Sequence, residues 1–176
     1  MKLRNLKASF FLNKPYAVPK KVKNFILKHS PFSFTIYHHA PKLINVTGLK
    51  SFSQLTQVKQ VIEARMGQKV IKIRIDNTFY SQKNFSNIDL NKVFTFMKSN
   101  TYFHVDYNVE LFAGMYLQPK KEHYPTILLF RTGSYTMMGG KEKTIIEKCE
   151  TFITSLIAMF VKQPSPPTNQ THPPNR

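Results

Sequence analysis

The chain has no tryptophan and a single cysteine, Cys149. One cysteine excludes an intramolecular disulfide and a zinc ribbon, and it suits a reducing compartment. Acidic residues are also scarce, 9 against 26 Lys and Arg. The few carboxylates are scattered, whereas a metal-dependent nuclease needs them clustered. His38-His39 has no Cys or acid at ligand spacing, so it reads as a surface pair. No Gly-rich phosphate loop occurs, and Gly139-Gly140 reads as a strand-to-helix corner. Enzymatic activity, a metal, a cofactor and a small-molecule substrate are therefore not expected. No apolar run reaches the roughly 18 residues of a membrane span, and "MKLRNLKASFFLNK" lacks the apolar segment of a signal peptide. The sequons at Asn45, Asn84 and Asn169 are then expected to stay unmodified.

What the chain has instead is positive charge and aromatic rings. The net charge is +17, with 15 Phe and 8 Tyr among 176 residues. That combination points to a polyanionic partner, nucleic acid above all. Helical periodicity predicts one helix over about Gln54 to Met66, with Ser53 as its cap and Gly67 as its end. A second is predicted over about Glu142 to Phe160, with Cys149 inside its apolar stripe, and a shorter one over about Leu90 to Lys98. Strands are predicted at "LKASFFL", "VKNFILK", "FSFTIYH", "KLINVTG", "KVIKIRI", "LFAGMYLQ", "TILLFRT" and "SYTMMGG". The segment "QPSPPTNQTHPPNR" is polar and Pro-rich and is expected to be a disordered tail.

The order of elements repeats. "FTIYHHAPKLINVTGLK" precedes the first long helix, and "TILLFRTGSYTMMGGK" precedes the second. The opening strands are matched as "LRNLKAS" against "VIKIRID". The expected domains are a shortened first repeat at 1–67, a second at 68–162, and the tail at 163–176. Two such copies make an α+β fold, one antiparallel sheet of roughly eight to ten strands with two long helices on one face. The other face stays bare, although Tyr37, Leu128, Phe130 and Met138 fall on it. A large exposed apolar patch marks an interaction surface. Rimmed by lysines, it suits a DNA minor groove, with apolar sugar walls between phosphate edges.

These residues resemble the TATA-box-binding protein family over about residues 2–160. "VELFAGMY" is similar to that family's Glu-Leu-Phe-Pro-Gly-Leu motif, with Ala113 in place of Pro. "ILLFRTGSYTMMGGK" and "INVTGLK" resemble its hairpin and Thr-Gly-Ala-Lys ends, and "YAVPKKV" resembles Tyr-Asn-Pro-Lys-Arg-Phe. The resemblance implies a pseudo-twofold saddle. Its curved sheet lies on the minor groove, and its two long helices cover the convex face. It also implies two pairs of intercalating residues: Phe112 and Phe130 in the second repeat, Val22 and Tyr37 in the first. Val22 is short and cannot stack, so one strong kink and one weak or absent kink are expected.

The groove floor implied by the same resemblance is altered. Asn5 and Thr47 keep the family's residue types, with Lys72 and Met138 as their expected counterparts. Lys7 and Arg74 are placed at flanking valine positions and Asn45 at another. Leu128 and Thr136 complete the floor. Phosphate contacts are expected from Lys21, Lys28, Lys50 and Lys141, with Gln118 standing where the family has Arg. Glu110 matches an acidic position that the family presents to a IIB-class initiation factor.

The expected function is that of a transcription initiation factor. It binds and bends A·T-rich promoter double-stranded DNA and recruits RNA polymerase through a IIB-like partner. It would act in the nucleus, or at a cytoplasmic viral replication site. Residue usage rich in Lys, Asn, Phe and Ile fits an A·T-rich genome such as that of a large DNA virus. The alternatives are a sequence-tolerant nucleic-acid binder of the same fold and a protein-interaction module whose sheet meets a DNA-mimicking polypeptide.

Overall fold

The computed structural model describes residues 1–18 and 24–161. Val22, Lys21 and the Pro-rich segment therefore lie outside the described residues. The chain opens with β1 (Lys2–Leu12), followed by β2 (Asn24–His29), β3 (Phe32–Tyr37), β4 (Ala40–Leu49) and α1 (Gln54–Met66). Next come β5 (Val70–Gln82), α2 (Leu90–Met97), β6 (Phe103–Asp106), β7 (Gly114–Pro119), β8 (Thr126–Phe130), β9 (Tyr135–Met138) and α3 (Lys143–Phe160). The nine strands of the described residues form one antiparallel sheet in the order β2-β3-β4-β1-β5-β9-β8-β7-β6. β1 and β5 meet at its centre, and each half fans outward through its own hairpins.

Strict alternation along the strands separates two faces. In β8, Ile127 and Leu129 are fully buried while Leu128 and Phe130 are half-buried. In β9, Tyr135 and Met137 are buried while Thr136 and Met138 are not. The buried faces build two clusters. One packs β1, β3 and β4 against Val58, Ile62 and Met66 of α1. The other packs β7, β8 and β9 against α2 and against Ile146, Cys149, Ile153, Leu156 and Ile157 of α3. Both long helices thus cover one face of a curved sheet, and among the described residues no helix lies on the second, open face. This is the predicted α+β saddle.

Three local expectations need correction. Ser53 makes no side-chain cap bond. Gln54, the first residue of α1, reaches back instead, its Oε1 accepting from Lys50 N at 2.6 Å and Ser51 N at 3.1 Å. β5 does not stop at the "KVIKIRI" segment but continues to Gln82, because pairing with β1 on one side and β9 on the other satisfies its backbone along the way. β6 was not predicted. Among the described residues its four residues pair with β7 alone, too short a run for alternation to stand out. With α2, it fills residues 83–113, where the first half has only residues 13–23 between its corresponding strands.

A candidate nucleic-acid interface on the open sheet face

Cross-strand pairing sets the open face in rows. In the first half, Ile26, Thr35, Asn45 and Ser9 lie side by side across β2, β3, β4 and β1. In the second half the matching row is Tyr116, Leu128, Thr136 and Ser81. The adjacent rows contain Lys28, Ser33 and Thr47 in one half and Thr126, Met138 and Phe79 in the other. In these rows the face therefore carries more polar side chains on the first-half side of the centre and more apolar ones on the other.

The internal symmetry also corrects the repeat register. Gly48 N donates to Asn5 Oδ1 at 3.2 Å, and Gly139 N donates to Asn77 Oδ1 at 3.0 Å. Ser9 pairs with Asn45, and Ser81 pairs with Thr136. "LRNLKAS" therefore matches "IDNTFYS", not "VIKIRID". The counterpart of Asn5 is Asn77 rather than Lys72, and that of Lys7 is Phe79 rather than Arg74. Thr47 and Met138 do correspond, each preceding the glycine. The isoleucines at 71, 73 and 75 gave the earlier segment a convincing strand pattern. The usable signal was Asn followed four residues later by Ser, present at Asn5–Ser9 and Asn77–Ser81.

Lys72 and Arg74 still reach the open face, in the territory of the first repeat. Lys72 Nζ sits 5.8 Å and the Arg74 guanidinium 5.5 Å from the centroid of the Phe11 ring. Phe11 pairs with Lys72 and Leu43. Asn77, Phe79, Tyr116 and Phe11 are thus open-face residues that sequence reasoning missed.

The end of the second half carries an aromatic cluster. Phe112 lies 6.1 Å from Phe130 in edge-on geometry and 5.5 Å from Tyr116, centroid to centroid. It precedes β7 in a turn held by Asn108, whose carbonyl accepts from Leu111 N at 3.1 Å and Phe112 N at 2.9 Å. Phe112 remains 40% exposed. Gly114 makes room for it, since a Cβ there would stand 2.7 Å from the Phe112 ring. At the opposite end, the aromatic neighbour of Tyr37 among the described residues is His39 of its own turn, 5.5 Å away. Asn24 pairs with Tyr37 as Gly114 pairs with Phe130.

Of the cations expected at phosphates, Lys28 lies on the edge strand and is exposed, and Lys141 follows β9 and is exposed. Lys50 instead donates from Nζ to the Arg4 carbonyl. Glu110 is exposed in the Asn108 turn, its backbone N donating to Asn108 Oδ1 at 3.0 Å. Among the described residues there is no group of three or more metal-ligating side chains, and no helix is long and apolar enough to cross a membrane.

Comparison with known proteins accounts for this arrangement. The chain superposes on the Methanococcus jannaschii TBP with a TM-score of 0.64 at 17% identity, covering 90% of this chain and 98% of the other. No curated protein matches it by sequence. The family described as "Transcription factor TFIID (or TATA-binding protein, TBP)" matches residues 72–160, just over half of the chain. The open-faced saddle thus belongs to a member of the TATA-binding protein family, a family of non-enzymatic DNA-binding transcription factors.

Proposed function

We propose that the chain is an initiation factor that lays its open sheet face on the minor groove of A·T-rich promoter DNA and bends it. The observation that carries this is the Phe112–Phe130 pair, two rings in contact at one end of an uncovered sheet. An apolar pair at the rim of a basic protein, Phe112 exposed and Phe130 half-buried, is suited to wedge between base pairs and unstack them, as minor-groove kinkers do; this family is the standard example of that behaviour. Asn5 and Asn77 sit near the sheet centre with their amide oxygens engaged by backbone donors. Their N–H groups are left to meet the acceptor-only edge of A·T pairs. Thr47, Thr136, Leu128 and Met138 complete the floor, Lys28 and Lys141 serve the phosphates, and Lys50 joins them by giving up its bond to the Arg4 carbonyl; Lys21, next to Val22 in the sequence, takes the same role.

The wedges are unequal. Tyr37 carries a hydroxyl that must stay bonded or hydrated, so the dominant kink falls at the Phe112–Phe130 end. Glu110, exposed on the turn that positions Phe112, offers a carboxylate to a IIB-like partner that brings RNA polymerase. The site of action is the nucleus or a viral replication site.

The test is bending of A·T-rich duplexes by wild type and by Phe112→Ala/Phe130→Ala, read by energy transfer between end labels. Loss of bending with partial retention of affinity supports the wedge. Equal bending by the double variant refutes it.

A further inference from the structure

Ser9 lies on the open face yet has no exposed surface, because neighbouring side chains close over it. Its Oγ is 2.5 Å from Asp76 Oδ2 and 3.0 Å from Asn45 Oδ1. Arg74 Nε donates to the other carboxylate oxygen, Asp76 Oδ1, at 2.9 Å. Asp76 is the extra residue of a bulge, between the pairs Lys7–Asn77 and Ala8–Ile75.

A serine has one hydroxyl proton. The charged carboxylate is the stronger acceptor and the closer one, so Ser9 donates to Asp76. Its contact with Asn45 is then satisfied by an Asn45 amide N–H donating to Ser9 Oγ, a half-turn of the amide that leaves its shape unchanged. That half-turn turns the Asn45 carbonyl oxygen away from Ser9. Asn45 and Asp76 together form an acceptor patch on a surface otherwise rich in donors.

The pseudo-twofold partner of this patch has the opposite sense. Arg4 occupies the bulge position in β1 that Asp76 occupies in β5, and Arg4 Nε donates to Ser81 Oγ at 2.7 Å. A guanidinium only donates. Equivalent places in the two halves thus present a carboxylate, paired through one oxygen with Arg74, on one side and a guanidinium on the other.

We propose that Asn45 and Asp76 select a G·C pair beneath the first-repeat side of the centre. This rests on the minor-groove reading above. A·T pairs show the minor groove only acceptors, which a carboxylate and an amide oxygen disfavour, whereas guanine adds its N2 amino donor. The preferred site is then asymmetric: A·T-only beneath Arg4 and Ser81, with one G·C beneath Ser9 and Asp76. That asymmetry orients the protein on its DNA.

The experiment walks a single G·C pair through the central positions of a short labelled A·T duplex. A second series carries inosine in place of guanine, which lacks the N2 amino group. Affinities are measured for wild type, Asp76→Ala and Asn45→Val. At one position wild type is expected to prefer G·C over I·C by about tenfold. Each variant should lose that preference, and Asp76→Ala should bind the all-A·T duplex at least as well as wild type, since an anion has left a polyanion-binding face. G·C and I·C binding alike at every position overturns the proposal. So does a variant that weakens all duplexes equally, the mark of a purely structural contact. Failure of wild type to bind any duplex in either series overturns the minor-groove reading itself, and this inference with it.

Discussion

Asn5 and Asn77 stand in the same relation to the glycine that ends the neighbouring strand. Gly48 N reaches Asn5 Oδ1 at 3.2 Å, and Gly139 N reaches Asn77 Oδ1 at 3.0 Å while also donating to Thr78 O at 3.1 Å. Both glycines have positive φ, 93° and 88°, a backbone conformation that glycine adopts without strain. The amide nitrogens are left as outward donors in both halves of the groove floor.

Asn5→Ala and Asn77→Ala should therefore weaken binding to an A·T duplex by similar amounts, each about 1–3 kcal/mol. Lys72→Ala should act differently, lowering the slope of log affinity against log salt by about 1 with little change in sequence preference. Fluorescence anisotropy across a salt series separates the two behaviours. A larger loss of sequence preference for Lys72→Ala than for Asn77→Ala would overturn the corrected register's functional meaning.

The two glycines should respond unequally to a methyl group. At Gly48 a Cβ would meet the Pro31 carbonyl oxygen at 2.6 Å, whereas at Gly139 it meets nothing within 4 Å. Gly139→Ala should cost only the left-handed backbone penalty of about 1–2 kcal/mol. Gly48→Ala should cost more, because backbone must move. Denaturant midpoints at constant m-value measure the difference.

Gly114→Ala should displace the Phe112 ring without unfolding the protein. The added Cβ would stand 2.7 Å from Phe112 and 3.1 Å from Phe130. Because Phe112 is partly exposed, its ring can rotate away. Melting temperature should change little while DNA bending falls toward that of Phe112→Ala. Unchanged bending would separate the wedge from the ring packing seen here.

Adjacent residues of β8 should divide stability from binding. Ile127 is fully buried beneath the helices, so Ile127→Ala should cost about 2–5 kcal/mol of stability. Leu128 lies on the open face beside Tyr116 and Thr136, so Leu128→Ala should cost less stability and more affinity. Chemical denaturation and duplex titration of both variants give the four values needed.

Cys149 should behave as core, not as a reactive thiol. It is 3% exposed, and burial pushes its thiol from 9.0 up to about 11. The protonated thiol favours the fold. Its contribution is fully present below pH 9 and is lost as pH rises through the window from 9 to about 11. Native protein at pH 8 should resist a thiol reagent that labels the denatured chain at once, whereas rapid native labelling would contradict the packing of α3.

Several levels of this protein can be read without coordinates. The stripe from Leu55 to Met66 and that from Ile145 to Phe160 define two helices, because a 3.6-residue period is a local property that survives any tertiary context. The hairpin at Thr126–Met138 declares two faces for the same reason, since side chains in a strand alternate. Even the open face follows from counting two long helices against so many strands.

The pairing of the halves was decided elsewhere. A strand's own pattern does not say which residue stands opposite its neighbour, and a slip of the match changes every correspondence. Three isoleucines before Asn77 made the earlier segment look equivalent. Only the hydrogen bonds from Gly48 and Gly139, and the pairing of Ser9 and Ser81 with their neighbours, place Asn77 opposite Asn5 in the symmetry. The bulges that set Arg4 and Asp76 at related positions are likewise products of two strands meeting, not of either strand alone. Sequence by itself determined the long helices, the alternating faces of the hairpins and the charge, all of which are local or summed properties. Tertiary structure alone decided the register across the centre, and with it which donors and acceptors the groove face presents, because register is a relation between segments distant in the chain.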